Sequence, residues 1–505
     1  MSRNVFNTVQ IKNPRTNQFN LGHDFKFSAE MGKLIPILVQ EAIPGDSFRL
    51  QTQTLIRFAP LVSPVMHNIR VFIHYFFVPN RIVYDDWERF ISSDLSETVP
   101  PSWPYVALTG SSNFTKGSLA DYFGLPITTG TWSKPQISAI PFAGYQCIWN
   151  EYYRDQNLQE EVNYKVVSGS NTTGFNSRLN VLRNRAWMHD YFTASLPFAQ
   201  KGPAVDIPIG FQDDVPVVFN SPDDPELEVE WSTTSGTAST LKYETGTAGV
   251  PTGGLFASTS DLNSGAATIN DLRTAIRLQE FFERAARGGS RYVEQLKVHF
   301  GVTSSDARMN RPEFIGGTRN PVIISEVLNT TGTEELPQGN MAGHGLSASS
   351  GQSFRYYAEE HGYIFGIMSV TPNTAYQQGI PRHFSRSSWD QYAFPSFAHL
   401  GEQEVLNKEI YVANDAFNEE TFGYVPRYSE YRYTPSHVAG EFRDSLAFWH
   451  LGRIFDNRPQ LNAEFIECVP RRDIFAVEDD QHLYCHAYNN VSVRRKLPKY
   501  GTPTL

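Results

Sequence analysis

The sequence predicts a mainly β fold rich in loops, on three observations. Its 505 residues carry 36 Gly and 31 Pro along the whole length, which disfavours long helical bundles and favours short strands joined by many turns. Hydrophobic residues make up 40% and aromatics 13%, with 35 Phe and 24 Tyr, enough apolar material for a large core. Apolar runs with strand character recur, whereas helical periodicity is confined to a few segments between them. The chain is far longer than the ~100–200 residues of a typical domain, so either several domains or one heavily decorated core is expected.

Taken in order, the PGD turn at Pro44–Asp46 introduces a first strand, Asp46 to Phe58, in which Phe48 and Leu50 precede a polar Gln/Thr stretch, as in a strand with one wetter face. The run RVFIHYFFVPNR, Arg70 to Arg81, places aromatic and β-branched residues on both alternation faces and reads as a buried central strand. A short helix is expected from Tyr145 to about Asn157, with Ile148 and Tyr152 on one face. The best helix is DLRTAIRLQEFFERAARGG, where Leu272, Ala275, Ile276, Gln279, Phe282 and Ala286 share a stripe, Asn270 is a cap and Gly288–Gly289 a stop. Both helices are expected to pack as crossovers against a sheet. Residues from about Phe211 to Glu230 hold Asp213, Asp214, Asp223, Asp224, Glu226, Glu228 and Glu230 with no Lys or Arg, and a Thr/Ser/Gly/Ala-rich stretch follows to about Thr268. Residues 211–268 therefore read as a polar surface insertion, with a linker between two domains as the alternative. No internal repeat is visible, which removes solenoids and propellers.

A net charge of −10 excludes a generally basic nucleic-acid binder and confines any DNA contact to local patches. Both ends supply local charge: Arg3, Lys12 and Arg15 at one, Arg494, Arg495, Lys496 and Lys499 at the other. Cys147, Cys468 and Cys485 are too few and too far apart for a disulfide framework, which fits a reducing compartment. The amino-terminal residues lack the apolar core of a signal peptide, and no stretch approaches the ~20 apolar residues of a membrane span, so a cytoplasmic product without membrane insertion is expected.

Catalytic chemistry finds no positive support. GHGLSA, Gly343 to Ala348, meets a G-x-G-x-x-A pattern, but no buried strand precedes it, so no cofactor is expected. In HLYCH, His482 to His486, the zinc-ligand types suggest a metal site. On a strand, though, His482 and His486 would share one face and Cys485 the other, so strand packing is the preferred reading and no metal is expected.

Several strings in one order resemble the major capsid proteins of microviruses, small single-stranded DNA bacteriophages, especially their gokushovirus-like branch. They are Phe27, Gly32, Ile35, Pro36, Glu41 and PGD; VFIHYFFVPNR with Trp87–Glu88; IWNEYYRDQNL, Ile148 to Leu158; and RAWMHDYFTASLPFAQKG, Arg185 to Gly202. After the polar insertion come LQEFFERAARGGSRYVEQLKVHFGV, SSDARMNRPEFIGG, EEHGYIFGIMSVTPNTAYQQGI from Glu359 to Ile380, FGYVPRYSEYRY and a short basic tail. The resemblance implies one eight-stranded antiparallel viral jelly roll over residues 1–505, with long inter-strand insertions containing a few helices. It implies a non-enzymatic subunit that assembles, through pentamers, into a T=1 icosahedral shell around a circular single-stranded DNA genome. Residues 211–268 occupy the slot of a three-fold protrusion. Implied partners are a DNA-pilot protein, an internal scaffolding protein, a small basic DNA-condensing protein and a host surface receptor, with assembly in the bacterial cytoplasm and residence in the virion. On this reading Arg494, Arg495, Lys496 and Lys499 face the shell interior and touch phosphates; the alternative is that they pair with a neighbouring subunit. Two rivals remain: a cellular jelly-roll enzyme or carbohydrate-binding protein, which needs converging carboxylates, a metal cluster or an aromatic platform, and a single-strand DNA binder, which needs a positive aromatic groove.

Overall fold

The computed structural model of the chain describes residues 15–92, 101–107, 114–127, 135–203, 205, 217–219, 227–228, 255–257, 269–328, 341–477 and 480–500. Eight strands make the framework: β1 His23–Ala29, β2 Ile35–Ala42, β3 Ser47–Phe58, β4 Ile69–Pro79, β5 Glu313–Pro321, β6 Met341–Ser349, β7 Gly362–Pro372 and β8 Leu483–Arg495. One sheet has the order β5-β4-β7-β2 and the other β1-β8-β3-β6, with every pairing antiparallel. Successive strands change sheet at every step except β4 to β5, which is the winding of a double Greek-key jelly roll. Three further strands enlarge the second sheet beyond the eight expected. Asn17–Asn20 continues the β1 edge along β8, Phe354–Tyr357 pairs with the start of β3, and Ile323–Leu328 pairs with β6.

Residue alternation explains how the sheets pack. In β3 burial alternates along the whole strand, with Phe48, Leu50, Thr52, Thr54, Ile56 and Phe58 inward and Arg49, Gln53, Leu55 and Arg57 outward. In β4 both faces are apolar because both are covered. Val71, Ile73, Tyr75 and Phe77 enter the core between the sheets, while Phe76 and Val78 join a second core on the outer side, built on α1, Ile140–Ile148. Each fully buried side chain of this size contributes roughly 1.5–3 kcal/mol.

The helix α1 departs from its sequence expectation. It begins at Ile140 rather than Tyr145, with Pro141 in the first turn, where a missing N–H costs nothing, and it ends in a π-helical turn, Trp149–Tyr153. Ile140 and every residue from Phe142 to Asn150 are buried, so the expected one-sided face is absent: one side packs on the sheet and the loops to Asn184 cover the rest.

A chain of buried hydrogen bonds crosses the sandwich. Tyr75 on β4 donates to Thr52 Oγ1 on β3 at 2.6 Å, Thr52 donates to Asn489 Oδ1 on β8 at 2.8 Å, and Asn489 Nδ2 donates to the Ile37 carbonyl on β2 at 2.7 Å. The polar Gln/Thr stretch of the sequence is thus only half wet, and its inward threonine fixes the register of both sheets. Between β7 and β8 a long insertion builds a third core from Tyr376, Val405, Ile410, Phe422, Val425 and Phe465, joined by Tyr191 and Phe192.

Residues 200–288 form a second compact unit. Its described part holds Val217–Phe219, Leu227–Glu228 and Leu255–Ala257 as an antiparallel three-stranded sheet, and α2, Ile269–Gly288. Most of the 211–268 insertion lies outside the described residues. Asn270 sits inside the first turn of α2 rather than capping it, and the helix stops at Gly288 before Gly289, φ +95°. The stripe is exposed at Leu272 and Ile276 and buried near Ala285 and Ala286, and α2 belongs to this second unit rather than to the one that holds the two sheets.

Candidate functional site

The basic tail grows out of β8. The strand's inward residues Val491 and Val493 are buried, and Arg494 points outward, opposite Ser47 and Gln18. Arg495, the last strand residue, turns to the PGD corner: its Nε lies 3.0 and 2.9 Å from the two carboxylate oxygens of Asp46, and a terminal nitrogen lies 2.6 Å from Oδ2 and 3.0 Å from the Glu41 carbonyl. Asp46 is wholly buried and also accepts from the Ile43 amide at 3.0 Å. Gly45, at φ +89°, is the conformation that glycine supplies to a tight corner, and the Lys496 stem lies against it, so a Cβ there would stand 3.2 Å from Lys496 Cε. Asn17 Nδ2 donates to the Leu497 carbonyl at 2.7 Å. Lys496 and Lys499 are exposed, with Lys499 Nζ 5.8 Å from the Tyr500 ring.

The four residues singled out in the sequence therefore divide. Arg494, Lys496 and Lys499 present charge to solvent and can hold a phosphate without reading a base. Arg495 spends its guanidinium on an internal bidentate pair, which a count of basic residues cannot reveal. At the other end Arg15 is exposed, while Arg3 and Lys12 lie outside the described residues.

The other sequence candidates fall into structural places. His482 precedes β8 and is buried, stacked on Phe475 at 4.2 Å and bonded through Nε2 to the Val477 carbonyl at 2.9 Å. His486 faces outward and meets Asp24 at 2.7 Å, so the two histidines do not share a face, because the alternation starts only at Leu483. Among the described residues no group of three or more His, Cys, Asp or Glu could hold a metal ion. Gly343 and Gly345 of GHGLSA lie inside β6, where a Cβ on Gly343 would stand 2.3 Å from the Ser63 carbonyl oxygen; close packing explains this glycine. All three cysteines are free and buried, and burial pushes each thiol far up. No helix among the described residues is long and apolar enough to cross a membrane.

Residues from the family-like strings meet one another. Arg81 pairs with Glu360 at 2.7 Å and donates to Asn310 Oδ1 at 2.6 Å. Asp190 accepts from Thr374 at 2.5 Å and Tyr376 at 2.7 Å, and Tyr191 donates to Glu409 at 2.9 Å. These contacts tie insertions to the framework. Residues 380–433 carry a feature that sequence reasoning missed: Arg386, nearly buried, pairs with Glu430 at 3.2 Å and lies 5.2 and 4.6 Å from the Tyr392 and Tyr431 rings. Around it Phe384, Trp389, Tyr392, Phe394, Tyr431 and Tyr433 are exposed.

Jelly rolls of this winding serve as viral shell subunits, lectins and cupins. The exposed aromatic surface and the surface cations suit the first of these, a protein that meets copies of itself and a polyanion. Comparison with known proteins decides the class. The chain matches the family described as "Capsid protein (F protein)" over residues 7–505. It is 36% identical to capsid protein VP1 of Chlamydia phage 1, covering 100% of this chain and 98% of that protein. It is likewise 36% identical to capsid protein VP1 of Bdellovibrio phage phiMH2K, with 99% and 98% covered, and 31% identical to that of Spiroplasma virus 4, with 97% and 95% covered. The chain belongs to this family of microvirus capsid proteins, and its role is that of a major capsid protein, a structural subunit of the phage shell.

Proposed function

We propose that this subunit assembles through pentamers into a T=1 icosahedral shell that encloses a circular single-stranded DNA genome, and that it catalyses no reaction. The full-length family membership carries this reading. The exposed aromatics around Arg386 support it, because a shell subunit must cover such side chains with copies of itself. In the same reading residues 211–268 project outward as a three-fold protrusion that meets the host receptor, within one chain built on a single jelly roll. Arg494, Lys496 and Lys499 face the interior. Assembly takes place in the bacterial cytoplasm with a DNA-pilot protein, an internal scaffolding protein and a small DNA-condensing protein. Electron microscopy of particles purified from infected cells, with their protein composition, tests the shell: this chain should be the abundant component of small icosahedral particles. Finding it only in traces beside another shell protein refutes the proposal.

The tail is tested by R494Q/K496Q/K499Q, which leaves the Arg495–Asp46 pair intact. Normal empty shells with weakened genome retention support a DNA role. Loss of both empty and filled shells assigns these residues to a subunit boundary.

A further inference from the structure

The two sheets differ in what covers their outer sides. The sheet β5-β4-β7-β2 is backed by the core around α1, whereas outward positions of β1-β8-β3-β6 are open to solvent. An antiparallel sheet with one wet face needs only polar residues there, and on a chain of net charge −10 an excess of acids would be the default. The opposite is found. Arg49 and Arg57 on β3, Arg355 on Phe354–Tyr357, Arg494 on β8 and Lys26 on β1 all lie outward. Against them, β1, β8, β3 and β6 carry a single carboxylate, Asp24, which is bonded to His486; Glu326 lies farther off, on Ile323–Leu328 beyond β6.

Register sharpens this. Arg49 lies directly opposite Arg355, a like-charged cross-strand pair that destabilises a sheet unless an anion is shared between the two. Arg49 Nε donates to Ser353 Oγ at 3.0 Å, and neither it, Arg57 nor Arg355 forms an ion pair among the described residues. Arg57 lies opposite Tyr484, and Tyr357 neighbours the Arg49–Arg355 pair; both rings are exposed. From Arg49 to Arg57 the row runs about 27 Å along β3, at ~3.4 Å per residue. Arg494, opposite Ser47, joins this row to the basic tail.

We propose that the outer face of the β1-β8-β3-β6 sheet is a contact surface for the sugar-phosphate backbone of single-stranded DNA, with Arg49, Arg57 and Arg355 as its phosphate ligands and Tyr357 and Tyr484 available for base stacking. The inference rests on the genome-enclosing reading above and extends it from the tail to the sheet. Cations in a row with interleaved aromatics are what sequence-independent single-strand binding requires, and charge complementarity selects a polyanion as occupant.

The test measures oligo-dT binding by dissociated full-length subunits as a function of salt, for wild type, R49Q/R57Q/R355Q and R494Q/K496Q/K499Q. Removing one phosphate ligand should lower the log–log salt slope by roughly 0.7, so the sheet variant should fall by about two units of slope and bind roughly 50-fold more weakly near 0.15 M salt. R355Q alone should also raise the thermal midpoint of DNA-free subunits at low ionic strength, because it relieves the Arg49–Arg355 repulsion; a purely structural arginine would lower it. An unchanged slope in the sheet variant, with a reduced slope in the tail variant, refutes the sheet surface and leaves the tail reading standing. A reduced slope in the sheet variant alone refutes the tail instead. Wild-type subunits that do not bind oligo-dT refute both. A sheet variant that binds like wild type but assembles poorly assigns the face to an acidic neighbouring subunit and overturns the proposal.

Discussion

Replacing Arg495 by Gln should damage the fold more than it damages any DNA contact. Asp46 has no exposed surface, and its carboxylate is satisfied by two nitrogens of Arg495 and the Ile43 amide. Removing the guanidinium leaves a buried charge with one neutral donor, and breaking a buried pair from one side costs ~3–5 kcal/mol. Arg495 keeps 16% of its side chain exposed, so water reaches the pair from one edge. The expected loss is therefore at the lower end, about 3 kcal/mol. D46N/R495Q should recover about 2 kcal/mol of the summed single losses, since neither polar group is then charged. Urea unfolding of dissociated subunits at pH 7, followed by tryptophan fluorescence, measures R495Q, D46N and D46N/R495Q. R494Q/K496Q/K499Q, altered only at exposed positions, should stay within about 0.5 kcal/mol of wild type. If R495Q is as stable as that triple variant, the clasp does not hold the Pro44–Asp46 corner, and Arg495 does not differ in role from the other basic residues of the tail.

Other consequences follow from the core. Thr52→Val leaves both the Tyr75 hydroxyl and Asn489 Oδ1 without their buried partner and should cost about 2–3 kcal/mol, whereas Tyr75→Phe leaves Thr52 its bond to Asn489 and should cost about 1, both read by urea unfolding. Burial, with Arg185 nearby, holds the His74 imidazole down at about 4, and Tyr153 lies 2.8 Å from its Nδ1, placed to donate to the neutral ring. Because the folded value lies below the unfolded ~6.5, this contribution is fully present above pH ~6.5 and is lost as pH falls toward 4. His74→Phe should therefore flatten the acid loss of stability by about 2–3 kcal/mol between pH 7 and 4.5. Replacing residues 215–266 by a short Gly/Ser bridge falls within the second compact unit and should leave a soluble subunit with a cooperative transition; insoluble product would place that segment in the core.

The strands with the plainest patterns were legible in the sequence. β3 showed its alternation and β4 its two apolar faces, because one is half-wet and the other is covered on both sides. β6 was hidden: a strand containing Gly343 and Gly345 runs against β propensity, and the Ser63 carbonyl that excludes a side chain at Gly343 lies far away in sequence. The ends of α1 are not legible in the sequence because a helix buried nearly all round has no amphipathic stripe to mark them. The site was half legible for a related reason. Counting charge finds a basic tail, but whether a strand-end arginine faces water or a carboxylate some 450 residues earlier is decided by pairing, here that of β8 with β3. The outward row Arg49, Arg57 and Arg355 is likewise a product of register, since Arg49 and Arg355 come together only across two strands.

In the assembly proposed above, stability and association occupy different parts of this chain, and that separation is testable at one residue. The sandwich core and the core around α1 bury the framework, while the insertion between β7 and β8 packs on its own apolar cluster and exposes Trp389, 69% accessible, 6.0 Å from Phe394 and 6.3 Å from Phe397. An aromatic ring that open adds little to folding, yet at the centre of an interface it is the residue type whose loss costs most. Trp389→Glu should therefore leave the urea midpoint of the isolated subunit within about 0.5 kcal/mol of wild type. Its particle yield should fall sharply, because assembly would bury a charge among Phe394, Phe397 and the covering copy. Sedimentation of the variant beside wild type reads the outcome. Particles formed at wild-type yield would mean that Trp389 stays in solvent in the finished shell, and the contact between copies would have to be sought on another insertion.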